Sequence, residues 1–208
     1  MINMAFISPS FDVLAFSFFI ILVINIFYKI LVNQADAKQS KDRMKEINDQ
    51  MKQEQKKGNT EKVNKLLSEL MQENSRLMKM SLKPMIVSFV IILLALPWIS
   101  DIYGDKTVKL NDNKGELKID DKVYVIQKTD NGIEIDGVAY QLPQNGVELN
   151  GAKWNIELSG NEVKFSRVVV YLPFSLPFVG NDLGWLGWYF VTAILFMIVT
   201  RKFLKIYL

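Results

Sequence analysis

Few side chains in this sequence could carry covalent chemistry. Ser17, Ser88 and Ser175 stand in or beside apolar stretches, where a serine activated by a lysine would make an intramembrane hydrolase. None has that partner at a workable depth. Lys29 stands twelve residues after Ser17, about 18 Å away along a helix. The chain contains no Cys and no His, which excludes thiolate nucleophiles, disulfides, sulfur or imidazole metal ligation and a Ser-His-Asp triad. Nucleotide-binding loops and acidic metal-ligand clusters are also missing. The expectation is a protein that is not an enzyme, with no metal and no cofactor. A net charge of +3 gives no reason to expect DNA as a partner.

The polar side chains inside apolar sequence pose a problem of solvation instead. Asn25 and Lys29 lie four apart, on one face of a helix, with Ser17 on an adjacent face. Ser88, Thr192 and Thr200 occupy two further apolar stretches. An amide in hydrocarbon is costly unless it meets a partner or water, so Asn25 should face the protein interior. One reading makes Ser17, Asn25, Lys29, Ser88, Thr192 and Thr200 the lining of a water-filled groove open to the cytosolic half of the bilayer. The other makes Asn25 an interhelical hydrogen-bond donor and Lys29 an anchor that snorkels to the head groups. Methionine supplies a second pattern. Six of the nine Met fall between positions 44 and 85. Of these, Met71, Met78, Met80 and Met85 are candidate contacts for an apolar client or a ribosome, because flexible thioethers adapt to varied partners.

The elements that would position these residues are set by segregation of charge. Residues 13–28, 84–100 and 183–200 contain no Asp, Glu, Lys or Arg and are rich in Ile, Leu, Val and Phe. Each approaches the ~20 residues that span ~30 Å of hydrocarbon. Between the first two, 13 basic residues face 8 acidic ones; between the last two, 9 face 13. Basic flanks stay in the cytoplasm, which places the N-terminus outside, the first loop inside, the second outside and the tail inside. Trp98, Tyr103, Trp185, Trp188 and Tyr189 mark the outer interface, Tyr28 and Tyr207 the inner one.

The two loops differ in period. Ala37, Ser40, Met44, Ile47 and Met51 follow a 3-4 spacing, as do Val63, Leu66, Leu70, Leu77 and Met80. With Gly58-Asn59-Thr60 between them as stop and N-cap, they predict an antiparallel coiled-coil hairpin with Met51 opposite Leu66 and Ile47 opposite Leu70. Pro84 should open a new helix. The outer loop alternates, as in Lys122-Val123-Tyr124-Val125-Ile126. It also repeats itself: Asn131-Gly132-Ile133-Glu134-Ile135-Asp136-Gly137 returns as Asn145-Gly146-Val147-Glu148-Leu149-Asn150-Gly151. Such Asn-Gly and Asp-Gly pairs predict tight hairpins in a small antiparallel β domain.

The expected fold is thus an α-helical integral membrane protein with three transmembrane helices, a cytosolic hairpin and a small extracellular β domain. Its divisions are an extracellular N-terminus 1–12, a first span 13–32, the hairpin 33–83 and a second span 84–103. A β-rich domain 104–171, an interfacial segment 172–182, a third span 183–202 and a cytosolic tail 203–208 complete it.

Across residues 1–103 and 183–208 this layout resembles the archaeal YidC-like proteins of the YidC/Oxa/Alb insertase superfamily. Met78-Lys79-Met80-Ser81-Leu82-Lys83-Pro84-Met85, leading into the second span, is similar to the junction such proteins have. The first span carries no Arg, and Asn25 and Lys29 stand as its substitutes. The resemblance implies a multi-pass protein of the cell membrane that helps nascent polypeptides into the bilayer through a hydrophilic groove, without ATP. Nascent membrane proteins and lipid are the implied partners, with the ribosome and a second membrane subunit as further candidates. The alternative is a non-catalytic scaffold or sensor whose β domain binds a ligand outside and whose coiled coil reports it.

Overall fold

A computed structural model describes residues 8–176 and 180–207. Three of its helices are long and apolar enough to cross a membrane: α1 (Pro9–Leu31), α3 (Thr60–Tyr103) and α4 (Trp185–Leu204). The fourth, α2 (Gln34–Lys56), is polar. Among the described residues ten strands lie between α3 and α4. The chain divides into two compact units, Met1–Phe16 with Leu96–Thr192, and Ser17–Ala95 with Ala193–Leu208.

In the unit built on residues 17–95 and 193–208, α2 and the first part of α3 form a helical hairpin. Ala37, Ser40, Ile47 and Glu54 are buried on α2, with Met44 and Met51 half-buried between them. On α3, Leu66 is buried while Val63, Leu70, Leu77 and Met80 are half-buried, so both stripes keep the 3-4 spacing. An ion pair at 3.2 Å joins Arg43 to Glu69.

Local chemistry closes the hairpin tip. Gly58 takes φ +72°, a left-handed conformation that only glycine adopts without strain. The Gly58 N–H donates to Gln55 O at 3.1 Å and the Asn59 N–H to Glu54 O at 3.1 Å, which is the Schellman pattern of a helix end. Asn59 then caps α3, its Oδ1 accepting from the Lys62 N–H at 3.2 Å.

The Glu54 carboxylate is buried at this tip. It accepts from Lys57 Nζ at 2.8 Å and Asn59 Nδ2 at 3.2 Å, with Lys62 Nζ at 3.8 Å. The Lys57 hydrogen bond, foremost, holds its pKa below the ordinary 4.5 against the opposing effect of burial. A carboxyl whose pKa falls on folding stabilises the fold above its unfolded value, and that contribution is lost as pH drops through the folded value. Amide protection at Gly58 and Asn59, corrected for intrinsic exchange, should therefore fall as pH is lowered below about 4.5. Glu54→Gln should flatten that dependence; an unchanged acid profile in the variant would show that the carboxylate does not hold the tip.

Beyond the hairpin α3 departs from expectation. The sequence places a helix boundary at Pro84, yet the helix runs unbroken for 44 residues through both Pro84 and Pro97. Proline removes one backbone donor and costs about 3 kcal/mol inside a helix. Intact turns on both sides outweigh that loss, and Ser88 Oγ donates back to Pro84 O at 2.7 Å. Hairpin arm and apolar span are one continuous rod, on the order of 65 Å long.

In the other unit, β2 (Lys114–Ile119), β3 (Lys122–Thr129), β4 (Gly132–Ile135) and β5 (Val138–Gln141) pair in sequence order. A second sheet has the order β1 (Lys106–Lys109), β8 (Glu162–Val168), β7 (Ala152–Ser159), β6 (Gln144–Leu149). All these pairings are antiparallel. One core joins the sheets, with Ile126, Ile133 and Ile135 from the first and Trp154, Ile156, Val163 and Phe165 from the second. Each copy of the repeat supplies a strand and the turn after it, one copy to each sheet. Both residues of Asp136-Gly137 and of Asn150-Gly151 have positive φ, as a type I′ turn requires.

Within the segment 172–182 the described residues belong to a two-stranded ribbon, β9 (Val170–Leu176) with β10 (Gly180–Leu183). Pro177 lies outside the described residues. Pro173 occupies a ribbon with an open edge, where a missing donor is tolerated.

Arg167 ties this domain to the end of α3. Its Nη1 donates to Ile102 O at 3.4 Å, and the guanidinium lies 5.1 Å from the centre of the Tyr103 ring and 5.9 Å from that of Trp154. Tyr103 Oη donates to the Asp12 carboxylate in the first turn of α1.

Candidate functional site

The buried face of α1 carries Val13, Ser17, Ile20, Ile21, Ile24 and Asn25, a spacing that repeats with the helical turn. Asn25 is fully buried. Its Nδ2 donates to Thr200 Oγ1 at 2.5 Å, and that hydroxyl donates to Phe196 O at 2.6 Å. Asn25 Oδ1 is buried and receives no hydrogen bond among the described residues. Ser17 and Thr192 are likewise buried, and Thr192 Oγ1 lies 2.8 Å from Trp188 O in its own helix. Ser88 is half-buried and bonded within α3. Lys29 is exposed, with Nζ donating to Leu204 O at 2.8 Å, where it caps the C-terminus of α4.

Of the six polar residues, Ser17, Asn25, Thr192 and Thr200 are buried, Ser88 is half-buried and Lys29 is exposed. Asn25 makes the interhelical hydrogen bond that was its plainer reading, and Lys29 neutralises a helix end. The physical reason is geometric. α1 and α4 approach closely enough for a threonine hydroxyl to reach the amide, and that contact satisfies its N–H more cheaply than an open water path.

This geometry predicts an asymmetry. Asn25→Leu removes an interhelical hydrogen bond worth about 0.6–1.7 kcal/mol together with an unpaired buried carbonyl, so its net cost should stay under about 1 kcal/mol. Thr200→Val strands the whole amide and should cost about 1–3 kcal/mol. Unfolding by SDS titration checks the order; equal costs would place water or another donor on Asn25.

Below this seam the chain turns sharply between α1 and α2, and Gln34 staples the turn. Its Nε2 donates to Tyr28 O at 3.0 Å and Val32 O at 3.2 Å, while its Oε1 accepts from the Tyr207 N–H at 3.0 Å. Arg201 lies over the Tyr28 ring and Lys38 over that of Tyr207. Asn33 caps α2.

Beside the staple lies a cleft of about 760 Å³. Leu31, Val32 and Asn33 form one wall. The other is the face of α3 that carries Ser68, Met71, Gln72, Ser75, Arg76, Lys79, Met80 and Lys83. No acidic side chain lines it. Met71 and Met80 border the cleft; Met78 and Met85 lie outside it. A second surface continues from there. Met71, Met78, Leu82, Met85, Ile86, Phe89 and Leu93 form one exposed apolar track on α3, with Met78 65% and Phe89 62% accessible. Composition flagged the four methionines, but the reading missed Gln34, Leu31 and the three cations of the cleft, which become neighbours only through the α1–α2 turn.

Among the described residues no group of three His, Cys, Asp or Glu could hold a metal ion. The chain was also compared with known proteins. No curated protein and no solved structure matches it. The family described as integral membrane protein EMC3/TMCO1-like matches residues 2–111, which include α1, the hairpin and α3. More than half of the chain lies in that match, and the family sits in the insertase-related superfamily of Oxa1, YidC and Alb3 that the three-span layout resembles. This chain is accordingly a multi-pass membrane protein of the EMC3/TMCO1-like family, with the role related to membrane-protein insertion that the family implies.

Proposed function

We propose that the protein is an insertase or insertion chaperone of the archaeal YidC-like kind, acting without ATP on nascent membrane proteins in the cell membrane. In this reading the N-terminus lies outside, the α2–α3 hairpin is a cytosolic coiled coil that meets the arriving chain or ribosome, and the tail is cytoplasmic. The single observation that supports it is the exposed apolar track of α3. It starts on the charged hairpin at Met71 and continues past Pro84 into the apolar span at Phe89 and Leu93 without a break in the helix.

The energetics favour such a track over a sealed bundle. A client segment leaving water must bury its apolar face before its polar flanks can move. A charged residue at the bilayer centre costs about 2.5–3.5 kcal/mol on insertion scales. Methionines at the membrane boundary give the segment an apolar surface to bind, and the continuous helix leads it inward past Phe89. The thioethers suit clients of varied shape. The groove thus lies along α3 and not at Asn25. A second subunit could complete its open side.

Photocrosslinkers placed singly at Met71, Met78, Met85 and Phe89 should capture ribosome-bound single-span nascent chains. A probe at the buried Asn25 should not. Capture at Asn25 with none along α3 would overturn this assignment.

A further inference from the structure

We propose that the cleft at the base of the hairpin is a binding site for one anionic phospholipid, its phosphate held by Arg76, Lys79 and Lys83. Depth along the chain supports the location. Lys83 directly precedes Pro84, where the charge-free stretch of α3 begins, and Leu31 ends α1 with Val32 directly after it. The cleft therefore opens at the level where hydrocarbon ends and head groups begin. Charge supports the ligand's sign. Three cations line the cleft with no carboxylate among its walls, and none of the three forms an ion pair among the described residues.

Composition of the walls supports a lipid over a nucleic acid. Leu31, Val32, Met71 and Met80 give the cleft an apolar side fit for an acyl chain, and no aromatic ring that could stack a base is present. Spacing agrees as well. Arg76, Lys79 and Lys83 are separated by three and four residues, so they share one helix face and converge on one anion. Asn33, Gln72 and Ser75 add polar groups at the same wall. This site goes beyond client handling, since a lipid can occupy it whether or not a client uses α3.

The test uses the full-length chain in mixed micelles of phosphatidylglycerol and phosphatidylcholine, with bound lipid counted by native mass spectrometry. Wild type should retain phosphatidylglycerol preferentially. Removing one of these charges should lower that preference about fivefold, and R76Q/K79Q/K83Q should abolish most of it. K45Q/K52Q/K56Q, three exposed sites on the other helix arm, should leave it unchanged. An equal loss in both triple variants would mean diffuse attraction and overturn the site. So would displacement of the lipid by inorganic phosphate alone, which would mark a free-anion site, or charge-dependent binding of an RNA oligonucleotide with no lipid preference. K79Q alone, read the same way and checked for native helix content, guards against a folding defect in the triple variant.

Discussion

Phe165→Ala is expected to destabilise the β domain by about 3–5 kcal/mol while the helical content of the spans is retained. Phe165 is fully buried in the middle of β8, opposite Lys106 of β1 and Ile156 of β7, and packs in the core shared with Trp154 and Val163. Truncation leaves a hole that the two sheets cannot collapse to fill, because six antiparallel strand pairs hold their backbones in place. The neighbouring Lys164 supplies the contrast. One residue earlier in the same strand, it points to the other face and pairs with Asp105 at 3.0 Å in a half-exposed ion pair. Lys164→Ala should cost no more than about 1 kcal/mol. Urea titration of the full chain, with proteolysis of the β domain as the readout, compares the two. A Phe165→Ala cost no larger than that of Lys164→Ala would mean that the sheets do not share this core.

Much of this fold could be read from local pattern. Alternation in β3 and β7, and the Asp136-Gly137 and Asn150-Gly151 pairs, specify hairpins because side-chain direction and positive φ are properties of a few adjacent residues. The hairpin stripes were equally legible, being fixed by a 3-4 spacing. What stayed hidden was non-local. Nothing in Lys106–Lys109 announces that β1 joins β8, more than fifty residues later, nor that the two copies of the repeat serve different sheets. Pro84 was read as a boundary because proline's local preference is strong; the helix overrides it through backbone bonds on either side. The β9–β10 ribbon was likewise hidden, since its first strand runs through Pro173.

The candidate site was legible as residue types and not as a place. Asn25 had to be buried and partnered, which followed from the cost of an amide in hydrocarbon. That its partner would be Thr200, 175 residues away, depended on how α1 and α4 meet. Met71 and Met78 stand beside the leucine stripe, and their exposure has that local origin. The basic cleft did not follow, because Leu31 and Arg76 are adjacent only once Gln34 and Asn33 have turned the chain.

Aspartate at Met78 or Leu82 should lower insertion of a single-span client by tenfold or more in proteoliposomes. Both side chains are exposed on the α3 track, 65% and 47% accessible, so neither replacement empties a core position and helix content should be unchanged. The loss arises in the complex. A client segment laid against the track would bury an unpaired carboxylate against apolar surface, and insertion scales price Asp at about 2.5–3.5 kcal/mol in the centre of a membrane helix. Even half of that cost, as suits the boundary region, exceeds the about 1.4 kcal/mol that corresponds to tenfold. Met78→Leu keeps the apolar surface and should retain insertion, with some narrowing of the clients accepted as the flexible thioether is lost. Asn64→Asp adds the same charge at an exposed polar position near the hairpin tip and should have little effect, which separates a requirement for apolar contact from sensitivity to net charge. Full activity in the Met78→Asp and Leu82→Asp variants would mean that clients pass elsewhere, and the continuity of α3 across the boundary would then serve only to hold the hairpin upright.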